Sequence, residues 1–112
     1  MHVFTSPHLI NITERIQIAG KEISKKYFEF LLAKCIKIND KEELSFFELI
    51  TAVAFLAFSR NKAEWTILEV GLGGRLDSTN VIKSTHLSII TPIAMDHQEF
   101  LGNNIRKIAL EK

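Results

Sequence analysis

The sequence predicts an α/β fold, specifically a three-layer, doubly wound and mostly parallel sheet. Two short apolar runs rich in Val, Ile and Thr, Trp65 to Val70 and Leu87 to Thr91, have the look of strands buried on both faces of such a sheet. The order along the chain, strand, helices, strand, loop, strand, helix, is that of α/β proteins. A glycine-rich turn hangs from the end of the first run, where sheets of this kind bind their ligands.

The elements follow in order. His2 to Thr5 is a short apolar piece stopped at Ser6-Pro7, because proline disfavours helix at the residue before it. Arg15 to Ile23 alternates apolar and polar residues around Ala19-Gly20, the pattern of a small hairpin. From Ser24 to about Asn39, Tyr27, Leu31 and Cys35 form one row with Phe28, Leu32 and Ile36 beside it, while lysines and Glu29 take the other face. A second helix starts at Ser45, where "SFFE" is a capping box: the Ser45 hydroxyl accepts from the Glu48 amide, and the Glu48 side chain from the Ser45 amide. That helix is apolar almost all round and should be sandwiched. A last helix begins near Asn103 or Asn104.

Composition sets the class. Of the 112 residues, 46% are hydrophobic and 24% charged, which is ordinary for one small globular domain. A net charge of +1 offers no electrostatic reason for nucleic acid or an anionic membrane as partner. The single cysteine, Cys35, fits a reducing cytoplasm, and the apolar stretch Phe46 to Phe58 is too short to span a bilayer. Lys25, Lys26, Lys34, Lys37 and Lys41 read as a solvated face.

The strand-end rule picks out the loops Thr5 to Ile10, Gly71 to Asn80 and Pro92 to Gly102, and these hold most of the unusual polar residues. Glu69 ends an apolar run, and a buried carboxylate is costly unless it is paired or binds a metal. One outcome is a site for Mg²⁺, which favours hard oxygen ligands; the other is a plain ion pair with Arg75 across the turn. Gly71, Gly73 and Gly74 complete neither a dinucleotide fingerprint nor a phosphate loop, since Leu76 stands where the last glycine is required. His97, after Asp96, suits a metal ligand, a general base or a hydrogen-bonded structural histidine. His8 and His86 read as structural or simply exposed. Phe46-Phe47 reads as core, with the alternative that an aromatic pair at a helix start walls a flat heterocycle.

Taken together, "FTSPHL", "ERIQIAGKEIS", "SFFE", "LEVGLGGRLDSTNVI" and "MDHQEFLGNNIRKIALEK" resemble, in the same order, folylpolyglutamate synthases and bifunctional dihydrofolate synthases of the Mur ligase superfamily. The resemblance covers essentially the whole chain and implies the Mur ligase central-domain fold, here incomplete over residues 1–112. It implies an ATP-dependent ligase in which ATP phosphorylates the carboxylate of dihydropteroate or of a folate tail, and L-glutamate attacks the acyl phosphate. By motif, Ser6, Glu69 and His97 are expected to ligate Mg²⁺. Ser45, Phe46, Phe47 and Glu48, together with Leu76, Asp77 and Ser78, are expected to line the pterin pocket, with Phe47 stacking and Asp77 hydrogen bonding. The family's G-T-N-G-K-G-S loop and its C-terminal domain have no counterpart in this sequence, so ATP contacts are expected elsewhere. The isolated chain is therefore expected to be inactive, marginally stable or self-associating, whereas full-length relatives are mostly monomeric. A non-catalytic remnant or split half, and a Mur-type peptidoglycan ligase, are the alternatives.

Overall fold

The computed structural model describes Met1–Lys112, which divides into two compact units, Met1–Glu69 and Val70–Lys112.

The first unit is built on a four-stranded sheet with β1 (His2–Phe4), β2 (Ile16–Ile18), β3 (Lys21–Glu22) and β4 (Thr66–Leu68) in the order β3-β2-β1-β4. β2 and β3 form the expected hairpin. Ala19 (φ 51°) and Gly20 (φ 84°) both take positive φ at its two-residue turn, as a twist-matched hairpin requires. β1 pairs antiparallel with β2 and parallel with β4. The sheet is thus mixed, which corrects the expectation of a mostly parallel one: the hairpin contributes two antiparallel pairings, and only the crossover from β1 to β4 is parallel.

That crossover contains α1 (Lys25–Asn39) and α2 (Phe46–Ser59), packed against one another. Both begin at the expected caps: the Ser24 hydroxyl accepts from the Tyr27 amide at 3.3 Å, and Ser45 and Glu48 exchange bonds of 3.2 and 2.8 Å. α1 turns Phe28 and Leu31 inward; α2 contributes Ile50, Val53, Ala54, Ala57 and Phe58. With Phe4, Ile16 and Ile23 from the sheet, these side chains form one core. His2 is buried too. Its Nδ1 accepts from the Ala19 amide at 3.2 Å, its Nε2 lies 3.0 Å from the Asn61 carbonyl, and its ring stacks on Phe58 at 4.8 Å.

Trp65 to Val70, expected to be buried on both faces, is a three-residue edge strand whose Thr66 and Ile67 are exposed. A strand is buried on both faces only when layers cover both of them, and this edge lacks such cover.

The second unit carries α3 (Gln98–Leu101) and α4 (Ile105–Leu110), the latter capped by Asn104 Oδ1, which accepts from the Lys107 amide at 2.9 Å. No strand forms over Leu87 to Thr91: extended backbone becomes a strand only by pairing, and Leu87, Ile89 and Ile90 stay exposed. Ile108 is the one large apolar side chain buried in this unit, so polar bonds carry much of its order. No helix is long and apolar enough to cross a membrane.

Candidate functional site

Because β1 and β4 run parallel with Phe4 opposite Leu68, the chain leaves both strands at the same end of the sheet. The Glu69 amide donates to the Phe4 carbonyl at 2.9 Å, and the Ser6 amide donates back to Glu69 Oε2 at 2.7 Å. Two of the residues expected to bind metal are therefore brought together. Glu69 is exposed, so its position is set by the backbone of Ser6 and not by relief of a buried charge. Nor does Arg75 serve as its counter-ion, because Arg75 pairs with Glu111 at 3.0 Å. The second Glu69 oxygen and the Ser6 hydroxyl make no hydrogen bond within the protein, so two hard oxygen donors stand free beside one another. This donor set fits a small divalent cation whose remaining ligands are water or phosphate oxygens. No three His, Cys, Asp or Glu side chains form a metal cage by themselves.

The loop after β1 is held by residues the sequence did not single out. Ser6-Pro7 is a cis peptide bond. Beyond it, the Glu14 carboxylate accepts from the amides of Leu9 (2.8 Å), Ile10 (3.0 Å) and Asn11 (2.7 Å). The Asn11 amide first, then that of Leu9, hold the Glu14 carboxyl below its ordinary value, because each bond favours the ionised form. Arg15, 7% exposed, donates from Nε to His8 Nδ1 at 2.8 Å and lies over the Phe46 ring at 5.3 Å. Nε–H can only donate, so His8 Nδ1 is the acceptor and a neutral ring carries its proton on Nε2. The signal missed in the sequence was a charged pair, Glu14-Arg15, placed just before an apolar strand.

At the start of α2 the four residues expected at a pterin pocket divide by role. Ser45 and Glu48 are occupied in the capping box, and those bonds from Ser45 hold the Glu48 carboxyl below its ordinary value. The Phe47 ring is partly buried and packs on core Phe4 at 5.8 Å, whereas Phe46 is 55% exposed. The open ring here is Phe46, and one of its faces is covered by Arg15.

In the second unit, the glycine turn is closed by Asp77. Its Oδ2 accepts from the amides of Gly71 (3.1 Å) and Leu72 (2.9 Å), and its Oδ1 from the Thr79 amide (2.9 Å) and hydroxyl (2.5 Å). Four bonds fill the acceptor capacity of a carboxylate. Gly74 is required by close approach, since a Cβ there would sit 2.8 Å from the Glu111 carbonyl oxygen. The Arg75 amide donates to that same oxygen at 2.7 Å, and the Glu111 carboxylate raises the Arg75 guanidinium further above its already high value. Leu76 projects into solvent beside a partly buried Ser78. His97 takes a positive φ (47°) at the cap of α3, with Nε2 3.5 Å from Asp96 Oδ2 and an exposed ring.

No family model matches the chain. Among curated proteins, it is 44% identical over 114 residues to a putative folylpolyglutamate synthase of Dictyostelium discoideum, covering 98% of this chain and 18% of that protein. It is 47% identical over 112 residues to the dihydrofolate synthase/folylpolyglutamate synthase of Buchnera aphidicola, covering 98% of this chain and 26% of the relative. Among solved structures, Escherichia coli FolC in complex with ADP superposes with a TM-score of 0.90 at 36% identity, over 96% of this chain and 26% of FolC. The bifunctional enzyme solved with Mn, AMPPNP and L-glutamate gives 0.89 at 40% identity, over 98% of this chain and 27% of that one. The chain thus spans about a quarter or less of the length of these relatives. Across nearly all of its own length, in sequence and in fold, the chain is similar to the folylpolyglutamate/dihydrofolate synthases.

Proposed function

We propose that this chain supplies the divalent-cation corner and part of the pterin-facing wall of a ligase that uses ATP to join L-glutamate to dihydropteroate or a folate. The observation that carries this reading is the Ser6–Glu69 pair, set side by side at the carboxyl ends of two parallel strands. Mg²⁺ is the proposed cation, held by Ser6 and Glu69. When bound, it neutralises charge on phosphate oxygens. Ser45 and Glu48 fix the start of α2, so that Phe46 is presented as the open aromatic surface and Phe47 anchors it to the core. With both oxygens committed to its own turn, Asp77 serves the pterin by shaping the loop that presents Leu76 and Ser78. The support from relatives is of the same kind: one structure holds Mn, AMPPNP and L-glutamate, and another is E. coli FolC with DHPP and ADP.

Calorimetric titration of the chain with dihydropteroate, with and without Mg²⁺, tests the reading. Binding is expected to depend on Mg²⁺ and to weaken at least about tenfold, equivalent to ~1.4 kcal/mol, in Glu69→Ala. Equal binding by the two proteins, or indifference to Mg²⁺, refutes it.

A further inference from the structure

Arg15 is more than nine-tenths buried, yet no carboxylate lies within 4.0 Å of its guanidinium and its one side-chain hydrogen bond is to His8. Burying an unpaired cation is costly, and proteins normally supply a counter-ion. No buried side-chain nitrogen in the chain is left unsatisfied, so the two terminal nitrogens of Arg15, which bond to nothing in the protein, are its solvent-accessible end. The side chain is more than nine-tenths buried, Nε is bonded to His8, and the guanidinium carbon lies over the Phe46 ring at 5.3 Å. What remains is the end-on fork of Nη1 and Nη2, pre-oriented and without an acceptor. A planar carboxylate matches that fork with two parallel N–H···O bonds.

Two neighbours narrow the ligand. Phe46, under the guanidinium, keeps 55% of its surface exposed and offers an apolar support for a ring attached to the carboxylate. The Arg15 carbonyl accepts from the Thr5 amide at 3.0 Å, which puts the Arg15 backbone beside the turn carrying Ser6. We infer that Arg15 is a binding residue for a carboxylate carried on an aromatic ring, the fork taking the carboxylate and Phe46 the ring. The site stands on the unpaired guanidinium alone; if the ligase reading above holds, its occupant is the carboxylate end of the aromatic substrate. His8 is the positioning residue, since it fixes the rotation of the guanidinium through Nε.

The test uses 4-aminobenzoate and its neutral isostere 4-aminobenzamide, titrated into the ¹⁵N-labelled chain while the guanidinium resonances of Arg15 are followed. The benzoate is expected to bind at least about tenfold more tightly than the benzamide, the worth of a charge-assisted pair, and to shift the Nη signals. Arg15→Gln should erase the difference, and Arg15→Lys, a point charge without a fork, should restore part of it. Equal binding of the two probes, unmoved Arg15 signals, or full discrimination in a folded Arg15→Gln chain each overturn the inference. If Arg15→Gln fails to fold, the native comparison with the Arg15 resonances decides alone. Mg²⁺-dependent dihydropteroate binding without benzoate discrimination overturns this inference alone, and benzoate discrimination without Mg²⁺-dependent dihydropteroate binding overturns the ligase reading alone, so the two proposals fail separately.

Discussion

Glu14 shows how a single carboxylate can order a functional loop. Its three backbone donors, Leu9, Ile10 and Asn11, follow directly on the Ser6-Pro7-His8 turn. The pKa of Glu14 is lowered by folding, so its contribution to stability is present above the carboxylate's unfolded value and is lost as pH falls through the lower folded value. Glu14→Gln should therefore lower stability at neutral pH and flatten the acid limb of a denaturation midpoint-against-pH curve. A variant whose acid limb matches the native one would show that the three bonds contribute nothing. The sequence makes Glu69, His97 and Asp77 conspicuous by position but leaves Glu14 and Arg15 unmarked. Their roles arise from partners in space, three backbone amides for one and an imidazole plus a phenyl ring for the other.

At the scale of elements, local chemistry was largely legible. Both long helices begin at the serine caps read from the chain, and the hairpin turns at Ala19-Gly20. Ser45→Ala removes the acceptor for the Glu48 amide and should cost about 1 kcal/mol, read as a drop in urea midpoint. Leu31→Ala, at a position with no exposure in the α1–α2 core, should cost roughly 2–5 kcal/mol by the same measurement. In the second unit, Gly74→Ala forces a methyl group against the Glu111 carbonyl oxygen and should break the bond from the Arg75 amide. Faster hydrogen exchange at Arg75, with amides of the first unit unchanged, is the expected signature. Leu87 to Thr91 has strand-forming residues but forms no strand, because β-propensity describes a residue's fit to a sheet and supplies no partner for it.

For the whole molecule, the sheet order leaves β4 at an edge, with Ile67 half exposed and Trp65 beside it 54% exposed. An exposed apolar edge strand is a template for pairing with another chain. Self-association through this edge is the expected behaviour at high concentration. Ile67→Lys should shift the weight-average mass in sedimentation equilibrium toward the monomer, and an unchanged mass would place any association elsewhere.

Sequence alone determined the α/β class, the caps and starts of α1, α2 and α4, the hairpin, and the family resemblance carried by its motifs, because each depends on short-range spacing or on the order of residues. Tertiary structure decided which aromatic ring is open, Phe46, and which is partly buried against the core, Phe47. It also decided that Glu69 is held by the Ser6 backbone, that Asp77 spends its oxygens on its own turn, and that Arg15 is buried without a counter-ion. Those outcomes rest on pairings between residues distant in sequence and on which donors are already satisfied, and both are properties of the folded chain in three dimensions.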